Sequence, residues 1–460
     1  MQLDLLTIKS ELRHRGAIPS KELASILGVS QPTVSRLLSR LEVKKILHLG
    51  RGRRSRYAIS RDVSILGSSW PLYEINQEGR AQGVGQLHAL AARQWHLQQD
   101  TPWESLRGSD FQDGLYPGFP WFLDDLRPHG FLGRLFARTH SQSLGLPSDP
   151  RDWQPDDVVL SLIRNGQDLP GAFVLGNDML TKVQERMLTD VEAISVANRP
   201  AIFPARADSI LGGEWSGSSA AGEQPKFTAV VRDAAGLVRH VMVKFSGRAG
   251  RPEDVRWSDL LAAEHLAATI LATNGIPAAQ NNLLDSGGRR FLESTRFDRV
   301  GLHGRRGLIS LSALDSAFFG QLQTPWISAA ERLQRGGWLI AQAADQLKLL
   351  WWFGALIGNT DMHYGNVSLF LDKQRPLSLA PSYDMLPMLY RPDQEGGLPE
   401  RQFCPPPPPP EALPFWAPAS AMAENFWLQA SASPLISEPF QRIAAGNADQ
   451  ITRARHQFLR

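Results

Sequence analysis

The residues at 357–366 read Ile-Gly-Asn-Thr-Asp-Met-His-Tyr-Gly-Asn and follow a strongly apolar helical segment. Within this stretch Asp361 precedes Asn366 by five residues, and a second acid, Asp384, comes after the next short hairpin pattern. A kinase catalytic loop needs this set: the first carboxylate accepts the hydroxyl proton, while the amide and the second carboxylate hold Mg²⁺ against the phosphates. Taken singly, each residue is more typical of a helix cap or a polar turn. Their order predicts phosphoryl transfer, with Asn366 and Asp384 as the metal ligands.

The upstream sequence supplies candidates for phosphate binding. Residues 216–226 read Ser-Gly-Ser-Ser-Ala-Ala-Gly-Glu-Gln-Pro-Lys, a small-residue loop whose backbone N–H groups can approach phosphate. The apolar strand that follows ends at Lys244, and Glu264 lies on the next amphipathic helix as a candidate ion-pair partner. Alone, the loop is equally typical of a linker, and the two charges are typical of solvated positions. The order of loop, Lys, Glu and Asp-x4-Asn favours a phosphate-binding role for Lys244.

Hydrophobic patterns predict the architecture around these motifs. Strand patterns at 227–232 and 238–245 flank an Asp-Ala-Ala-Gly turn, which predicts a hairpin, and a periodic helix is predicted at 259–273. The C-terminal part is mainly helical in pattern. Six prolines at 405–410 predict a polyproline II rod, which we interpret as a spacer in preference to a docking ligand for an aromatic groove. We therefore expect an α+β protein.

The N-terminal end is strongly basic. Residues 1–61 carry 13 Lys/Arg and 4 Asp/Glu, whereas the other 399 residues carry 36 and 42, which indicates a polyanion partner for this end only. Three helical patterns, a Gly-containing turn and a basic hairpin at 44–59 predict a winged helix-turn-helix that binds double-stranded DNA. A protein-docking module is the alternative. We expect base contacts from a helix and phosphate contacts from the hairpin, by Gln31, Thr33, Arg36, Arg40 and by Arg51, Arg53, Arg54, Arg56, respectively.

Composition excludes several classes of protein. Cys404 is the one cysteine, which excludes a disulfide framework and a Cys-based zinc site and fits a reducing cytosol. The longest near-continuous apolar run, at 349–357, has nine residues, whereas a membrane helix needs about 20. The N-terminus lacks the apolar stretch of a signal peptide. We therefore expect a cytoplasmic protein with no membrane partner, whose 13 tryptophans mainly pack the core.

With these motifs the chain resembles the HipA-like Ser/Thr protein kinases, the toxin-type kinases of bacterial toxin–antitoxin systems. The resemblance covers about residues 70–450 and is weakest before residue 200 and in the proline-rich tail. Two stretches are specific to the family: Thr-Arg-Phe-Asp-Arg at 295–299 and the Asn-Thr-Asp-x-His-x-x-Asn loop at 359–366. Supporting matches are the loop at 219–226, Val243-Lys244 and Tyr383-Asp384.

The resemblance implies a two-lobed kinase fold, distantly like the phosphoinositide kinases, that binds ATP and Mg²⁺ between its lobes. It implies phosphate contacts from Lys244, a nucleotide-proximal His363 and an adenine-binding hinge at Ser294, Thr295, Arg296 and Phe297. The loop residues implied to bind nucleotide are Ala221, Gly222, Glu223, Gln224 and Lys226. Family members phosphorylate a serine of this loop and so inactivate themselves. Ser219 occupies the matching position, with Ser216 and Ser218 close by.

The acceptor and the partners follow from the same resemblance. Known targets in the family are aminoacyl-tRNA synthetases, so the implied acceptor is a protein Ser/Thr. In the better-known arrangement the DNA-binding antitoxin is a separate chain, whereas here a DNA-binding domain is fused at the N-terminus, as in the YjjJ-type members. Winged domains usually bind paired half-sites, so a homodimer is expected.

We expect four successive regions in the chain. A winged helix-turn-helix occupies 1–61, a family-type N-terminal subdomain and the start of the N-lobe occupy 62–200, and the N-lobe and helical C-lobe occupy 201–300 and 301–460. We predict an active Ser/Thr protein kinase with DNA-binding autoregulation, because the set Lys244, Asp361, Asn366 and Asp384 is complete. The alternatives are a nucleotide-sensing transcription regulator with a catalytically silent body and a small-molecule kinase.

Overall fold

A computed structural model of the chain describes residues 5–40, 45–50, 52–107, 110–189, 191–212, 224–322 and 324–459. The chain divides into two compact units. The first comprises Met1–Pro128, Ala137–Leu188 and Asp372–Gln374, and the second comprises His129–Phe136, Thr189–Leu371 and Arg375–Arg460.

The first unit begins with three helices and a small antiparallel sheet. The elements are, in chain order, α1 (Leu5–Arg15), β1 (Ile18–Pro19), α2 (Ser20–Ile26), α3 (Gln31–Arg40), β2 (Ile46–Leu49) and β3 (Arg56–Ile59). The strand order in the sheet is β1-β3-β2. The apolar stripes of the helices pack on this sheet, because Leu12, Leu23, Val34 and Ile59 form one buried cluster. The helices and the hairpin predicted for this segment are confirmed.

The middle part of the first unit contains a five-stranded antiparallel sheet in the order β7-β6-β5-β4-β8. Its strands are β4 (Ser69–Ile75), β5 (Ala81–Ala89), β6 (Trp95–Gln99), β7 (Leu115–Tyr116) and β8 (Phe173–Leu175). The accompanying helices are α4 (Glu104–Arg107), α5 (Trp121–Asp124), α6 (Gly130–Leu144), α7 (Pro155–Asn165) and α8 (Asn177–Leu188). Of these, α6 carries residues of both units.

The N-terminal segment shares its core with the middle part of the same unit. The turn between β5 and β6 supplies Ala91 to the buried cluster of the N-terminal helices. The Ala91 amide donates to the Ile59 carbonyl at 2.8 Å, and the Ala17 amide donates to Gln94 Oε1 at 2.7 Å. Arg61 adds a bidentate ion pair with Asp156 at 2.6 and 2.7 Å. The N-terminal helices are therefore packed onto the middle part through buried contacts and not tethered by a flexible linker.

The second unit opens with a five-stranded sheet in the order β12-β13-β11-β10-β9. Its elements are β9 (Ile194–Ser195), α9 (Arg199–Gly212), β10 (Lys226–Arg232), β11 (Val238–Phe245), α10 (Pro252–Thr273), β12 (Asn281–Ser286) and β13 (Arg289–Thr295). One face of the sheet packs on α9 through Phe203, Phe227, Val243 and Phe291. The predicted β10–β11 hairpin is confirmed.

Helix α10 begins seven residues before the predicted start at Asp259. Pro252 occupies its first turn, and Glu253 and Asp254 follow there. Proline is tolerated at this position because its missing N–H would have no intrahelical partner, and acidic side chains favour the positive end of the helix dipole. The predicted range rested on apolar periodicity, which this polar first turn does not show.

The rest of the second unit is mainly helical, as predicted. Its strands are β14 (Arg299–Val300), β15 (Gly304–Arg305), β16 (Leu308–Ser310), β17 (Ser368–Phe370) and β18 (Ser378–Leu379). Its helices are α11 (Leu311–Phe318), α12 (Trp326–Arg335), α13 (Ala341–Leu356), α14 (Leu413–Ala432) and α15 (Glu438–Phe458). Strands β16, β17 and β18 form one antiparallel sheet. Helix α13 is fixed to α14, where Trp427 Nε1 donates to the Leu356 carbonyl at 3.0 Å.

The sequence predicts that most tryptophans pack the core and that the six prolines form an extended spacer. Eleven of the 13 tryptophans are buried, as predicted. The six prolines at 405–410 were predicted to form one rod, but the last of them begins a short 3-10 helix, Pro410–Ala412. The proline segment lies against its own unit, because Trp416 Nε1 donates to the Pro406 carbonyl at 3.2 Å. Among the residues that the structure describes, no helix has both the length and the apolar composition to cross a bilayer.

Candidate active site

A buried lysine shared by two carboxylates forms the centre of the candidate site. Strand β11 directs Lys244 away from the face that packs on α9, because its neighbours Val243 and Phe245 belong to that core. Lys244 Nζ lies 2.6 and 2.7 Å from the two carboxylate oxygens of Glu264 on α10 and also contacts Asp384 Oδ1. Lys244 and Glu264 are only 6% and 5% exposed. The predicted Lys244–Glu264 ion pair is therefore present in the structure.

The electrostatics of this cluster keep Lys244 and Asp384 charged at neutral pH. Burial alone would lower the pKa of Lys244, but the negative charges of Asp384 and Glu264 raise it above the usual lysine value. Burial likewise opposes ionisation of Asp384, yet the positive charges of Lys244 and Lys226 lower its pKa to about 2. Two positive side chains on one sheet face therefore act on an ionised carboxylate, a combination of charges that suits metal-bound phosphate.

The loop that carries Asp361 is closed by hydrogen bonds within itself. Asn366 Nδ2 donates to the Asp361 carbonyl at 2.8 Å, and the Asn366 amide donates to the His363 carbonyl at 3.0 Å. His363 Nδ1 accepts from the Gly365 amide at 3.0 Å, and its Nε2 lies 4.0 Å from Asp361 Oδ2. The Asp361 side chain is 43% exposed, so its carboxylate is accessible to an incoming hydroxyl group.

Asn359 joins this loop to Asp384, a role that the sequence did not reveal. Its Oδ1 accepts from the Asp361 amide at 3.0 Å, while its Nδ2 lies 3.3 Å from the Asp384 carbonyl and donates to it. Asp384 itself has a φ of 54°, an unfavourable conformation for a residue with a Cβ. One buried amide thus fixes the spacing between the two acids. The signal available in the sequence was only its place within the motif.

Tyr383 and Gly354 also position the loop and were not predicted to do so. The Tyr383 hydroxyl donates to the Gly365 carbonyl at 2.8 Å, so the residue before Asp384 is bonded to the turn before Asn366. A Cβ at Gly354 on α13 would lie 2.3 Å from Met362 Sδ and 3.1 Å from Met385 Sδ. Glycine therefore permits the close approach of both acidic segments to α13.

The donor set of Asn366 and Asp384 fits a magnesium ion that is shared with phosphate. Mg²⁺ prefers carboxylate and amide oxygens and is usually held by one or two protein side chains plus substrate phosphates. Asp384 is ionised, and the use of Nδ2 of Asn366 by the Asp361 carbonyl leaves the amide oxygen as its ligand atom. No cluster of three or more His, Cys, Asp or Glu side chains that could hold a metal ion occurs among the described residues.

The four residues of the predicted hinge differ in their surroundings. Ser294 lies on the same sheet face as Lys244 and lines a cleft with Glu264, Asp384 and Met385. The side chain of Thr295 points to the opposite face, where its Oγ1 accepts from Arg239 at 3.0 Å. For Thr295, a contact with nucleotide would therefore use the backbone.

Arg296 and Phe297 have structural partners. The Arg296 guanidinium pairs with Asp298 at 2.9 and 3.1 Å and is buried. The Phe297 ring packs on Tyr383 and Phe370, with centroids 5.7 and 6.1 Å apart. The Thr-Arg-Phe-Asp-Arg stretch thus joins the strand end to the Asp384 segment. Its adenine-binding role stays a prediction.

The phosphate loop is described only at its end. Ser219, Ala221, Gly222 and Glu223 lie outside the described residues. Gln224 Nε2 donates to the Phe245 carbonyl, and Lys226 pairs in register with Lys244, so both lysines share one sheet face.

The predicted DNA-contacting residues fall on α3 and the β2–β3 hairpin. Gln31 and Arg36 are exposed on α3 and Thr33 is half-buried. The Thr33 amide donates to Ser30 Oγ at 3.3 Å, so the Ser30 side chain caps the start of this helix. Arg54 is exposed next to β3, and Arg56 is half-buried at its start. The placement of Arg51 and the side chains of Arg40 and Arg53 lie outside what the structure describes.

The fold and the loop define a HipA-like protein. A HipA-like C-terminal domain model matches residues 218–415. The solved HipA of Shewanella oneidensis MR-1, in a complex with HipB and its operator DNA, superposes with a TM-score of 0.54 at 15% identity, covering 85% of this chain and 97% of that one. A weaker likeness, with a TM-score of 0.34 and 13% identity, links 54% of the chain to 92% of the proinflammatory kinase CtkA of Helicobacter pylori.

Within this class the chain belongs to the family of YjjJ-like toxins. The model of the YjjJ-like toxin middle domain matches residues 66–184. Toxin YjjJ of Escherichia coli (strain K12) is 33% identical over 454 residues, covering 98% of both proteins. The resemblance inferred from the motifs is therefore confirmed, including the subset with an additional N-terminal segment.

Proposed function

We propose that this protein is an ATP- and Mg²⁺-dependent Ser/Thr protein kinase with a fused DNA-binding domain. The observation that carries the proposal is the convergence of Lys244, Glu264 and Asp384 in one buried cluster beside the Asp361–Asn366 loop. These residues come from a strand, a helix and two loops that are up to 140 positions apart in the sequence. Phosphoryl transfer requires a phosphate-binding lysine, its acidic partner and a metal-binding acid in one site, and the convergence of these residue types supports the assignment.

The proposed roles follow from charge and exposure. Lys244, held by Glu264, supplies positive charge to the phosphate oxygens, and Asp384 with Asn366 would hold Mg²⁺, which neutralises charge on the phosphates. The acceptor hydroxyl oxygen forms a bond to the γ-phosphorus, the bond to the β–γ bridging oxygen breaks, and ADP leaves. Asp361 accepts the hydroxyl proton, which the exposure of its carboxylate favours.

The acceptor is proposed to be a protein Ser/Thr, with Ser219 of the chain's own loop as a second acceptor. The family resemblance supports both parts of this proposal and suggests an aminoacyl-tRNA synthetase as a target. Phosphorylation of Ser219 would add a charge of about −2 to the loop segment that precedes Lys226 in the sequence.

The N-terminal segment is proposed to bind double-stranded DNA as a winged helix-turn-helix, in a homodimer. Its order of helix, strand, two helices and a hairpin, with α3 exposing Gln31 and Arg36, supports this. The excess of Lys/Arg in residues 1–61 supplies the phosphate contacts. The related Shewanella protein was solved with operator DNA and HipB, which makes DNA association a natural proposal here.

The proposal is tested by incubating the purified protein with Mg-ATP and measuring intact and peptide masses. We expect one added phosphate within 209–226 in the wild type, and none in Asp361→Ala, whose affinity for ATP should be largely unchanged. Asp345→Ala is the matched control, because this exposed acid on α13 forms an ion pair with the nearby Lys348 at 3.1 Å and not with a residue of the candidate site.

Two outcomes would overturn parts of the proposal. Transfer by Asp361→Ala at the wild-type rate would remove its assigned role. Tight binding of ATP without phosphate on the protein, on protein acceptors or on small molecules would support the nucleotide-sensing regulator instead.

A further inference from the structure

A polar cluster joins the Asp361 loop to the helices next to it. It contains the buried Asp315 and Tyr364 and the partly buried Thr324 and Arg332. Nη2 of Arg332 on α12 lies 3.0 Å from Asp315 Oδ1, 3.0 Å from Thr324 Oγ1 and 2.9 Å from the Tyr364 hydroxyl. The Tyr364 and Thr324 hydroxyls are 2.5 Å apart. Since the guanidinium donates to the phenol oxygen, the phenol hydrogen is available for Thr324. Every hydroxyl of the cluster is thus hydrogen-bonded.

The ion pair at the base of the cluster is supported by the surrounding backbone. Asp315 is 1% exposed on α11, and its Oδ2 accepts from the Gln321 amide at 2.6 Å. The helix that carries it is capped by Ser310, whose Oγ accepts from the Ala313 amide at 3.1 Å. A buried carboxylate that has both a cation and a backbone donor is fully satisfied and therefore rigid. Asp315 therefore fixes the position of the Arg332 guanidinium, whose Nη2 also donates to Tyr364 of the catalytic loop.

Tyr364 connects this rigid base to the chemistry. It lies between His363 and Gly365 in the loop, yet its side chain points inward and is 3% exposed. The side chains of the nearby loop residues Asp361 and His363 are instead 43% and 59% exposed. The phenol of Tyr364 therefore attaches the solvent-facing loop to Arg332 on α12 and, through Arg332, to Asp315 on α11.

We propose that Tyr364 and Arg332 are positioning residues that hold the Asp361 carboxylate at the distance and angle needed to receive a proton. This inference rests on the proposed kinase function and adds two determinants to Asp361 and Asn366: Tyr364 at an unspecified position of the motif, and Arg332 on α12. The side-chain hydrogen bonds of Tyr364 and Arg332 go to Asp315 and Thr324 and to each other, and not to the Lys244–Glu264–Asp384 cluster. Loss of the anchor should therefore slow the transfer step and leave ATP binding nearly unchanged, because misplacement of a reacting group by about 1 Å can cost about 100-fold in rate.

The test compares Tyr364→Phe with Tyr390→Phe. Tyr390 is also buried in the second unit and exchanges hydrogen bonds with Asn447 at 2.8 and 3.1 Å, so its variant removes a similar hydroxyl away from the loop. At saturating Mg-ATP we expect the rate of phosphate incorporation to fall about tenfold or more in Tyr364→Phe, with KM for ATP within about twofold of the wild type. Tyr390→Phe should keep the wild-type rate.

Two further measurements separate positioning from general destabilisation. Hydrogen exchange of the peptide at 357–371 should become faster in Tyr364→Phe and stay unchanged in Tyr390→Phe. Arg332→Lys, which keeps the charge beside Asp315, should retain more activity than Arg332→Met.

The outcomes distinguish failure of the proposed Tyr364 anchor from failure of the proposed kinase function. An active wild type with equally active Tyr364→Phe, or equal losses in both tyrosine variants, would overturn the anchor while leaving the kinase assignment intact. A wild type that binds ATP but transfers no phosphate to any acceptor would overturn the kinase assignment. In that case unchanged loop exchange in Tyr364→Phe would overturn the anchor as well.

Discussion

Removal of the charge on Lys244 should destabilise the protein much more than removal of the charge on Glu264. Lys244→Met leaves Glu264 buried at 5% exposure without its partner, and Asp384 also loses its nearest cation. Breaking a buried ion pair in this way costs about 3–5 kcal/mol. Glu264→Gln leaves Lys244 paired with Asp384 and keeps one oxygen acceptor, so its cost should be about 1–2 kcal/mol. The expected difference is about 2 kcal/mol, or roughly 30-fold in an opening equilibrium.

The assay is native-state hydrogen exchange of peptides from β11 and β13, which reports the opening of this sheet and not of the first unit. Lys244→Met should give the faster exchange by roughly 30-fold relative to Glu264→Gln. Equal exchange in the two variants, or faster exchange in Glu264→Gln, would refute the view that one lysine neutralises two carboxylates. Lys348→Met, which breaks the ion pair with the exposed Asp345, should leave exchange in both strands unchanged.

Two other predictions concern the first unit. Replacing Arg51, Arg53 and Arg54 by alanine should weaken DNA binding and flatten its dependence on salt, because fewer counterions are released; equal salt slopes would place the phosphate contacts elsewhere. His96 is kept neutral, since burial and the nearby His88 lower its pKa to about 4 from about 6.5 in the unfolded chain. Its stabilising contribution is therefore present above pH 6.5 and falls by about 3 kcal/mol as the pH drops to about 4. Urea unfolding of His96→Gln should lack this loss, and a variant with the wild-type pH slope would contradict it.

The sequence alone predicted the parts of the site that depend on local order. The Asp-x4-Asn loop, the lysine at a strand end and the acid on a helix are recognisable because strand and helix periodicity and turn residues are local properties. The β10–β11 hairpin followed from a four-residue turn between two apolar strands, and the structure confirms it. The motif at 357–366 was specific enough to place the chain in the correct family, as the comparisons confirm.

Contacts between side chains that are distant in the sequence were decided only by the tertiary structure. Asn359 bonds to the Asp384 carbonyl, and Arg332 bonds to Tyr364 across 32 positions, although no local pattern marks either pair. The direction of Thr295 was likewise set by the register of β11 and β13. The N-terminal helices take Ala91 from a turn of the middle part into their core. Such contacts depend on how distant segments pack, which burial of apolar surface determines for the whole fold at once.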